Sequence, residues 1–182
     1  MSHSDQSIIQ QTRRWLTSVV IDLNFCPFAR RELERDSIHY SVVHERNLES
    51  CLESLLLECQ LLDQQQDIAT SLLIYPDQWH HFEDFLDFLA IAESLLEQQN
   101  YQGIYQLASF HPNYQFAEEP DNDPANYTNR SPYPMLHLLR EDRMETALLK
   151  YPNPEQIPEN NIQLARTLGE EKLKTLLAAC KH

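Results

Sequence analysis

Apolar side chains recur every three to four positions along several stretches of the chain, a spacing that places them on one face of a helix. The first stretch begins just after Ser4, which is positioned to act as its N-cap. The stretches that predict helices are 5–23, 48–62, 79–98 and, interrupted at Gly169, about 162–180.

Three short runs of β-branched, aromatic or continuously apolar residues alternate with these helices and predict strands at 38–43, 70–75 and 104–109. Strands joined by long helical connections usually run parallel. We therefore expect an α/β fold whose small, mainly parallel sheet of about three to five strands is flanked by helices. Leucine outnumbers valine 27 to 4, so the fold should be helix-rich. The segment 135–139 is open between a further strand and a helix.

The segment 110–134 has neither helical nor strand periodicity. It is rich in proline, and its Phe and Tyr residues would anchor it to the core, so we expect a long ordered loop followed at the end of the chain by the C-terminal helices. The chain has 182 residues. Because chains usually divide only beyond ~250 residues, we expect a single globular domain over 1–182.

The charge of the chain argues against two classes of partner. It has 14 basic and 28 acidic residues, a net charge of −14 at pH 7, which disfavours nucleic acid and anionic membrane surfaces. With two glycines, it cannot form the glycine-rich phosphate loops of nucleotide enzymes. The four cysteines are irregularly spaced, and the sequence has neither a signal peptide pattern nor a membrane-spanning run. We expect a soluble, cytoplasmic protein.

Cys26 is the first candidate for chemistry. Pro27 could open a helix at its first position, which would make Cys26 the N-cap of that helix. The helix dipole and the nearby Arg30 or Arg31 would then favour a reactive thiolate. The alternative is a buried structural thiol, covered by neighbouring aromatic residues.

His111 is the second candidate, because it directly follows the predicted strand 104–109. Open α/β sheets bind ligands beyond the carboxyl ends of their strands, where His111 could act as a base or a metal ligand. In the alternative interpretation, its imidazole holds the long loop in place by hydrogen bonds to the backbone.

The third candidate is the segment 126–141, which begins with a polar stretch rich in hydrogen-bond donors. Arg130 offers a planar fork that matches a carboxylate or phosphate. His137 could instead be a core histidine, and Arg140 could pair internally with Glu141. The predicted ligand-binding residues are Asn129, Arg130, Ser131, Tyr133, His137 and Arg140.

These segments resemble a bacterial family known as domain of unknown function 1415. The resemblance covers nearly the whole chain and implies no activity, substrate or catalytic residue. It depends on the following residues: Asn24, 26–29, Phe110-His111-Pro112, Tyr114, Phe116, 128–134 and 136–141.

Three functions are compatible with these residues. In the first, the protein is a cytosolic enzyme with Cys26 as nucleophile or redox thiol, His111 as base and Arg130 as the anchor of a small anionic ligand. In the second, it is a non-catalytic interaction or regulatory module that uses the Pro- and Tyr-rich loop 110–134. In the third, Cys26, His111 and His137 bind zinc in a hydrolase. The sequence identifies neither a substrate nor a cofactor.

Overall fold

A computed structural model describes residues 4–181. At its centre lies one four-stranded sheet with the spatial order β1-β2-β4-β3. The strands are β1 (Ile38–Val42), β2 (Thr70–Ile74), β3 (Tyr105–Phe110) and β4 (Met135–Arg140).

The prediction of a mainly parallel sheet is wrong. Only β1 and β2 pair in parallel, whereas β4 pairs antiparallel with both β2 and β3. Because β4 is antiparallel to both neighbours, β1, β2 and β3 still share one direction, as their helical connections require. β4 returns from the long loop and fills the position between β2 and β3. The segment 135–139 is therefore a strand, and the α/β and helix-rich predictions are confirmed.

Helices cover both faces of the sheet. On one face, α3 and α4 pack against a core that includes Leu73 and Leu136. On the other face, α1, a π-helix, α2, α6 and α7 surround a core that includes Leu72 and Met135. The helices are α1 (Asp5–Trp15), the π-helix (Leu16–Ile21), α2 (Ala29–Glu34), α3 (Leu48–Gln64), α4 (Phe82–Gln98), α5 (Glu141–Leu149), α6 (Ile157–Leu168) and α7 (Glu170–Ala179).

The predicted first helix changes its winding partway along. The Ser4 side chain caps α1, as the sequence predicts, but beyond Trp15 the chain continues as a π-helix. The hydrogen bonds of a π-helix span five residues instead of the four of an α-helix, which makes each turn wider. Short π-helical turns are frequent at functional sites. The following turn contains Asn24 in the left-handed region, with φ of 56°. Asparagine tolerates this conformation better than most residues, and the turn directs the chain from the π-helix towards α2.

Candidate functional site

A mostly apolar cavity lies between the sheet and the π-helix. Its volume is about 150 Å³, and its apolar walls include Trp15, Val20, Leu72 and Phe110. Cys26, Thr70 and His137 also line it, together with the charged residues Glu32, Arg140 and Arg143. We refer to it as the Cys26 cavity.

Thr70 and His137 form a hydrogen-bonded pair in the wall of this cavity. The Thr70 hydroxyl donates to the Leu138 carbonyl oxygen at 2.6 Å and lies 2.7 Å from His137 Nε2. Because the single hydroxyl proton goes to the carbonyl, we assign the imidazole proton to Nε2, which donates to Thr70 Oγ1. His137 Nδ1 then carries a lone pair, and it has no hydrogen-bond partner within residues 4–181.

His137 is neutral at physiological pH. Burial lowers its pKa to about 4. His137 as a whole residue retains some accessible surface, and it lines the small cavity. A neutral imidazole with a free Nδ1 can accept a hydrogen bond or a proton from a molecule in the cavity.

Cys26 lies in the turn between the π-helix and α2. The sequence suggested Cys26 as the N-cap of α2, but the cap residue is Phe28 and Cys26 precedes the helix. Burial raises the pKa of the Cys26 thiol, and hydrogen bonds from the N–H groups of Phe28 and Ala29 oppose this only in part. The resting form at neutral pH is therefore the protonated thiol rather than the expected thiolate.

The two arginines that follow Cys26 are directed towards carboxylates. Arg30 Nη2 lies 3.5 Å from Asp22 Oδ1, and Arg31 Nε lies 3.8 Å from Glu32 Oε1. Both arginines are exposed, and neither lowers the pKa of the Cys26 thiol.

His111 is fully buried, and both of its ring nitrogens are occupied. Nε2 donates to the Trp79 carbonyl at 2.8 Å, and Nδ1 accepts from the Asn113 N–H at 3.0 Å. The ring packs against Phe82 and Phe85, with centroid distances of 5.2 and 5.3 Å. These contacts attach the beginning of the long loop to the connection between β2 and α4.

The structure does not bring Cys26 and His111 together. Cys26 packs against the core on the π-helix face of the sheet. His111 packs against phenylalanines of α4, which covers the opposite face. The three predicted zinc ligands are divided in the same way, because His137 shares the cavity with Cys26 and His111 does not.

Arg130 is buried, and its side chain binds other residues of the long loop. Its Nε donates to the Tyr114 carbonyl at 3.1 Å, and its Nη2 donates to the Asp121 carbonyl and carboxylate at 2.8 Å each. The guanidinium also lies over the Tyr127 ring at 4.6 Å. The carbonyl of Arg130 accepts from the Trp15 indole at 3.0 Å, which joins the loop to α1.

Three neighbouring candidates also form contacts within the protein. Asn129 Nδ2 donates to the Ser109 carbonyl at 3.2 Å, and Ser131 Oγ donates to the Tyr133 carbonyl at 2.6 Å. The Tyr133 hydroxyl donates to Gln11 Oε1. None of Asn129, Ser131 and Tyr133 is among the residues that line the Cys26 cavity.

Arg140 lines the cavity but uses its N–H groups elsewhere. Nε donates to the Ile68 carbonyl and Nη2 donates to the Gln65 carbonyl, at 3.1 Å each, and Nη2 also donates to the Leu62 carbonyl. Arg140 thus satisfies carbonyls at the C-terminal end of α3 rather than forming an ion pair with Glu141. Its positive charge remains fixed beside the cavity.

Thr70 and Trp15 are site residues that sequence reasoning missed. Thr70 begins the apolar run that predicts β2, and Trp15 belongs to the apolar face of α1. Neither residue lies in a recognisable sequence motif. Thr70 reaches the cavity through strand pairing and Trp15 through helix packing, and neither can be read from the local sequence. The pairing of β2 with β4 is what places Thr70 beside His137.

A second polar cluster lies on the α3 face of the sheet. His39 Nδ1 lies 2.9 Å from Glu58 Oε2, and the Ser71 hydroxyl donates to the same oxygen. Burial alone would raise the pKa of Glu58, but its bonds to His39 and Ser71 outweigh burial and lower it. Because Ser71 and His39 both bind the carboxylate, the imidazole does not mediate between serine and carboxylate as in a catalytic triad.

No group of three or more His, Cys, Asp or Glu side chains within residues 4–181 is arranged to hold a metal ion. In the same range, no helix combines the length and apolar character needed to cross a membrane.

Comparisons with known proteins identify the family. No curated protein and no solved structure matches the chain. Residues 7–175 match a family described as "Protein of unknown function (DUF1415)". The match extends across most of α1, the four strands and most of α7, and so includes every residue of the Cys26 cavity. The chain therefore belongs to the DUF1415 family.

Proposed function

We propose that this protein is an enzyme that acts on a small molecule in the Cys26 cavity, with Cys26 as nucleophile and His137 as its base. The observation that carries the proposal is the presence of a thiol and a neutral imidazole with a free Nδ1 in the walls of one mostly apolar cavity. Binding pockets usually combine apolar walls with a few convergent polar groups. The base differs from the one suggested by the sequence, since His111 lies across the sheet.

The chemistry follows from the resting protonation states. Cys26 is a neutral thiol and His137 a neutral imidazole, so no ion pair exists before a ligand binds. When the sulfur attacks a carbonyl carbon of the ligand, the C–S bond would form as the C=O π electron pair moves onto the oxygen. The thiol proton would pass to His137 Nδ1, and Thr70 would hold the ring by accepting from Nε2–H. The fixed charge of Arg140 beside the cavity would favour negative charge that develops on the ligand.

Two observations support an enzyme over the interaction module. Tyr127 and Tyr133, which such a module would present to a partner, are buried. Arg130 is also buried and bound to the loop itself. An interaction surface depends on accessible aromatic and arginine side chains, and these three are not accessible.

The cellular location is part of the proposal. Cys26, Cys51, Cys59 and Cys180 are all free thiols. Free thiols persist in a reducing compartment, and we propose that the enzyme acts in the cytosol.

The proposal can be tested by affinity labelling of Cys26 with N-benzyl-2-iodoacetamide, whose ring is of a size that a cavity of ~150 Å³ accepts. We expect a rate that saturates with reagent concentration. Relative to iodoacetamide, and normalised to glutathione, the benzyl reagent should react about tenfold faster or more, because binding precedes reaction. Mass spectrometry distinguishes Cys26 from the other thiols, with buried Cys180 as an internal reference.

The pH dependence and one variant complete this test. Because the pKa of Cys26 is raised, labelling should still accelerate as the pH increases through ~9, the range where an ordinary thiol reaches its plateau. His137→Gln should slow labelling by the benzyl reagent about tenfold or more at pH 7.5. Three results together would contradict the proposal: a labelling rate that increases linearly with reagent concentration, the same rate in His137→Gln, and a rate that no longer increases above pH ~7.

A further inference from the structure

A polar cleft adjoins the Cys26 cavity. It lies between α2 and α5 and has a volume of about 660 Å³. The cleft and the cavity share Glu32, Arg143 and Ala147 as common walls, so a ligand in the cavity could extend into the cleft. We refer to it as the α2/α5 cleft.

The charge of this cleft differs from that of the whole protein. Four basic residues line it, against three acidic residues, whereas the whole chain has 14 basic and 28 acidic residues. The basic residues are Arg31, Arg35, Arg143 and Lys150, and the acidic residues are Glu32, Asp67 and Asp142. The residues of the cleft therefore carry a net formal charge of +1, on a protein whose net charge is −14.

Two of the three acidic groups, Glu32 and Asp142, already have partners. The Glu32 carboxylate accepts from the Ser37 hydroxyl at 2.7 Å and lies 3.8 Å from Arg31. The Asp142 carboxylate accepts from the backbone N–H of Arg143 at 2.8 Å. By contrast, the side chains of Arg35 and Lys150 form neither an ion pair nor a hydrogen bond with any residue from 4 to 181. Both are exposed and are the C-cap residues of α2 and α5.

We infer that the α2/α5 cleft binds the anionic group of a ligand whose apolar part occupies the Cys26 cavity. The ligand class is thus a small amphiphilic anion, a carboxylate or a phosphate monoester carrying an apolar group about the size of a benzene ring. Arginine guanidinium groups match both anions, and the mouth of the cavity is where such a group would emerge. This inference depends on the proposed function, because it needs the cavity to hold the apolar part.

Probes of similar shape and different charge separate binding of an apolar ring in the Cys26 cavity from binding of an anionic group in the α2/α5 cleft. Phenylacetate and phenylacetamide carry the same ring and differ in charge, and phenyl phosphate supplies the other anion. We expect phenylacetate or phenyl phosphate to bind about three- to tenfold more tightly than phenylacetamide at low salt, with the difference reduced in 0.5 M NaCl. Isothermal titration calorimetry of the full chain gives the affinities, and the stronger anion identifies the headgroup.

Variants assign the effect to the cleft. The double variant Arg35→Gln, Lys150→Gln should bind phenylacetamide like the wild type but lose the preference for the anions. Arg30→Gln is the matched control, since Arg30 lies on α2 beside Asp22 and lines neither the cleft nor the cavity. Equal binding of charged and neutral probes would overturn this inference alone. Absence of binding by all three probes would overturn the proposed function as well.

Discussion

Replacing Arg140 with methionine is expected to lower the free energy of unfolding by about 3–5 kcal/mol. Arg140 is buried and donates to the carbonyls of Leu62, Gln65 and Ile68. Methionine retains much of the volume but none of the donors. The Leu62 carbonyl, whose bond to Arg140 is buried, would lose its partner away from water, and the Gln65 and Ile68 carbonyls would lose partly buried bonds. Urea denaturation, with the midpoint and slope compared, measures the loss.

Arg143→Met is the matched control for this variant. Arg143 donates to the Gln66 carbonyl, which lies in the same connection between α3 and β2 as Gln65 and Ile68, but this contact is exposed to solvent. We expect a loss below about 0.5 kcal/mol, since water can replace an exposed donor. If the two variants lost similar stability, or if Arg140→Met lost less than ~1 kcal/mol, the structural role of Arg140 would be wrong.

Arg130→Met is expected to cost about 2–4 kcal/mol. The guanidinium binds the Tyr114 and Asp121 carbonyls and covers the Tyr127 ring. Its removal would therefore break the contacts that hold distant parts of the long loop together. The cost should be lower than at Arg140 because the Asp121 side chain is 82% exposed and can be solvated when its partner is removed. The midpoint of urea unfolding again provides the measurement.

Arg166 of α6 provides the control for Arg130, because it contacts the surface of the same loop. It contacts Asp123 and Glu119 at 3.1 and 2.9 Å from a solvent-exposed position. Arg166→Met should leave the unfolding midpoint nearly unchanged. A stable Arg130→Met protein with impaired binding of phenylacetate or phenyl phosphate would instead support the anion-binding role that the sequence suggested.

The helices could be predicted because their periodicity depends on local residues. The pattern from Asp5 to Leu23 and the interruption at Gly169 both correspond to elements of the structure. The change to a π-helix at Leu16 leaves no comparable signal, because the same apolar residues suit either winding. The three strands with a common direction were also predictable from their helical connections.

The position of β4 could not be predicted from local sequence. Its pairing partners are at distant positions in the chain, and nothing in 135–140 indicates whether it joins an edge or enters the centre of the sheet. This one insertion converts a parallel sheet into a mainly antiparallel one. It also places His137 beside Thr70, and so determines the composition of the cavity.

The identity of the histidine in the site depends on strand alternation. Tyr105 and Leu107 of β3 face α3 and α4, and by alternation His111 follows on that same side. In β4, Leu136 and Leu138 face α3 and α4, so His137 faces the π-helix. A shift of one residue in either strand would reverse the assignment. The sequence alone does not show which face of the sheet Cys26 covers.

The central claim is that His137 presents a free Nδ1 to a ligand inside the Cys26 cavity. Its most direct test is the long-range ¹H–¹⁵N NMR spectrum of the His137 imidazole, recorded from pH 5 to 8 and during titration with benzyl alcohol. We expect a neutral ring protonated on Nε2 over this whole range, because the pKa is about 4. We also expect a saturable shift of the Nδ1 resonance as it accepts a hydrogen bond from the alcohol. A ring that titrates near pH ~6.5 and does not respond to benzyl alcohol would contradict the claim.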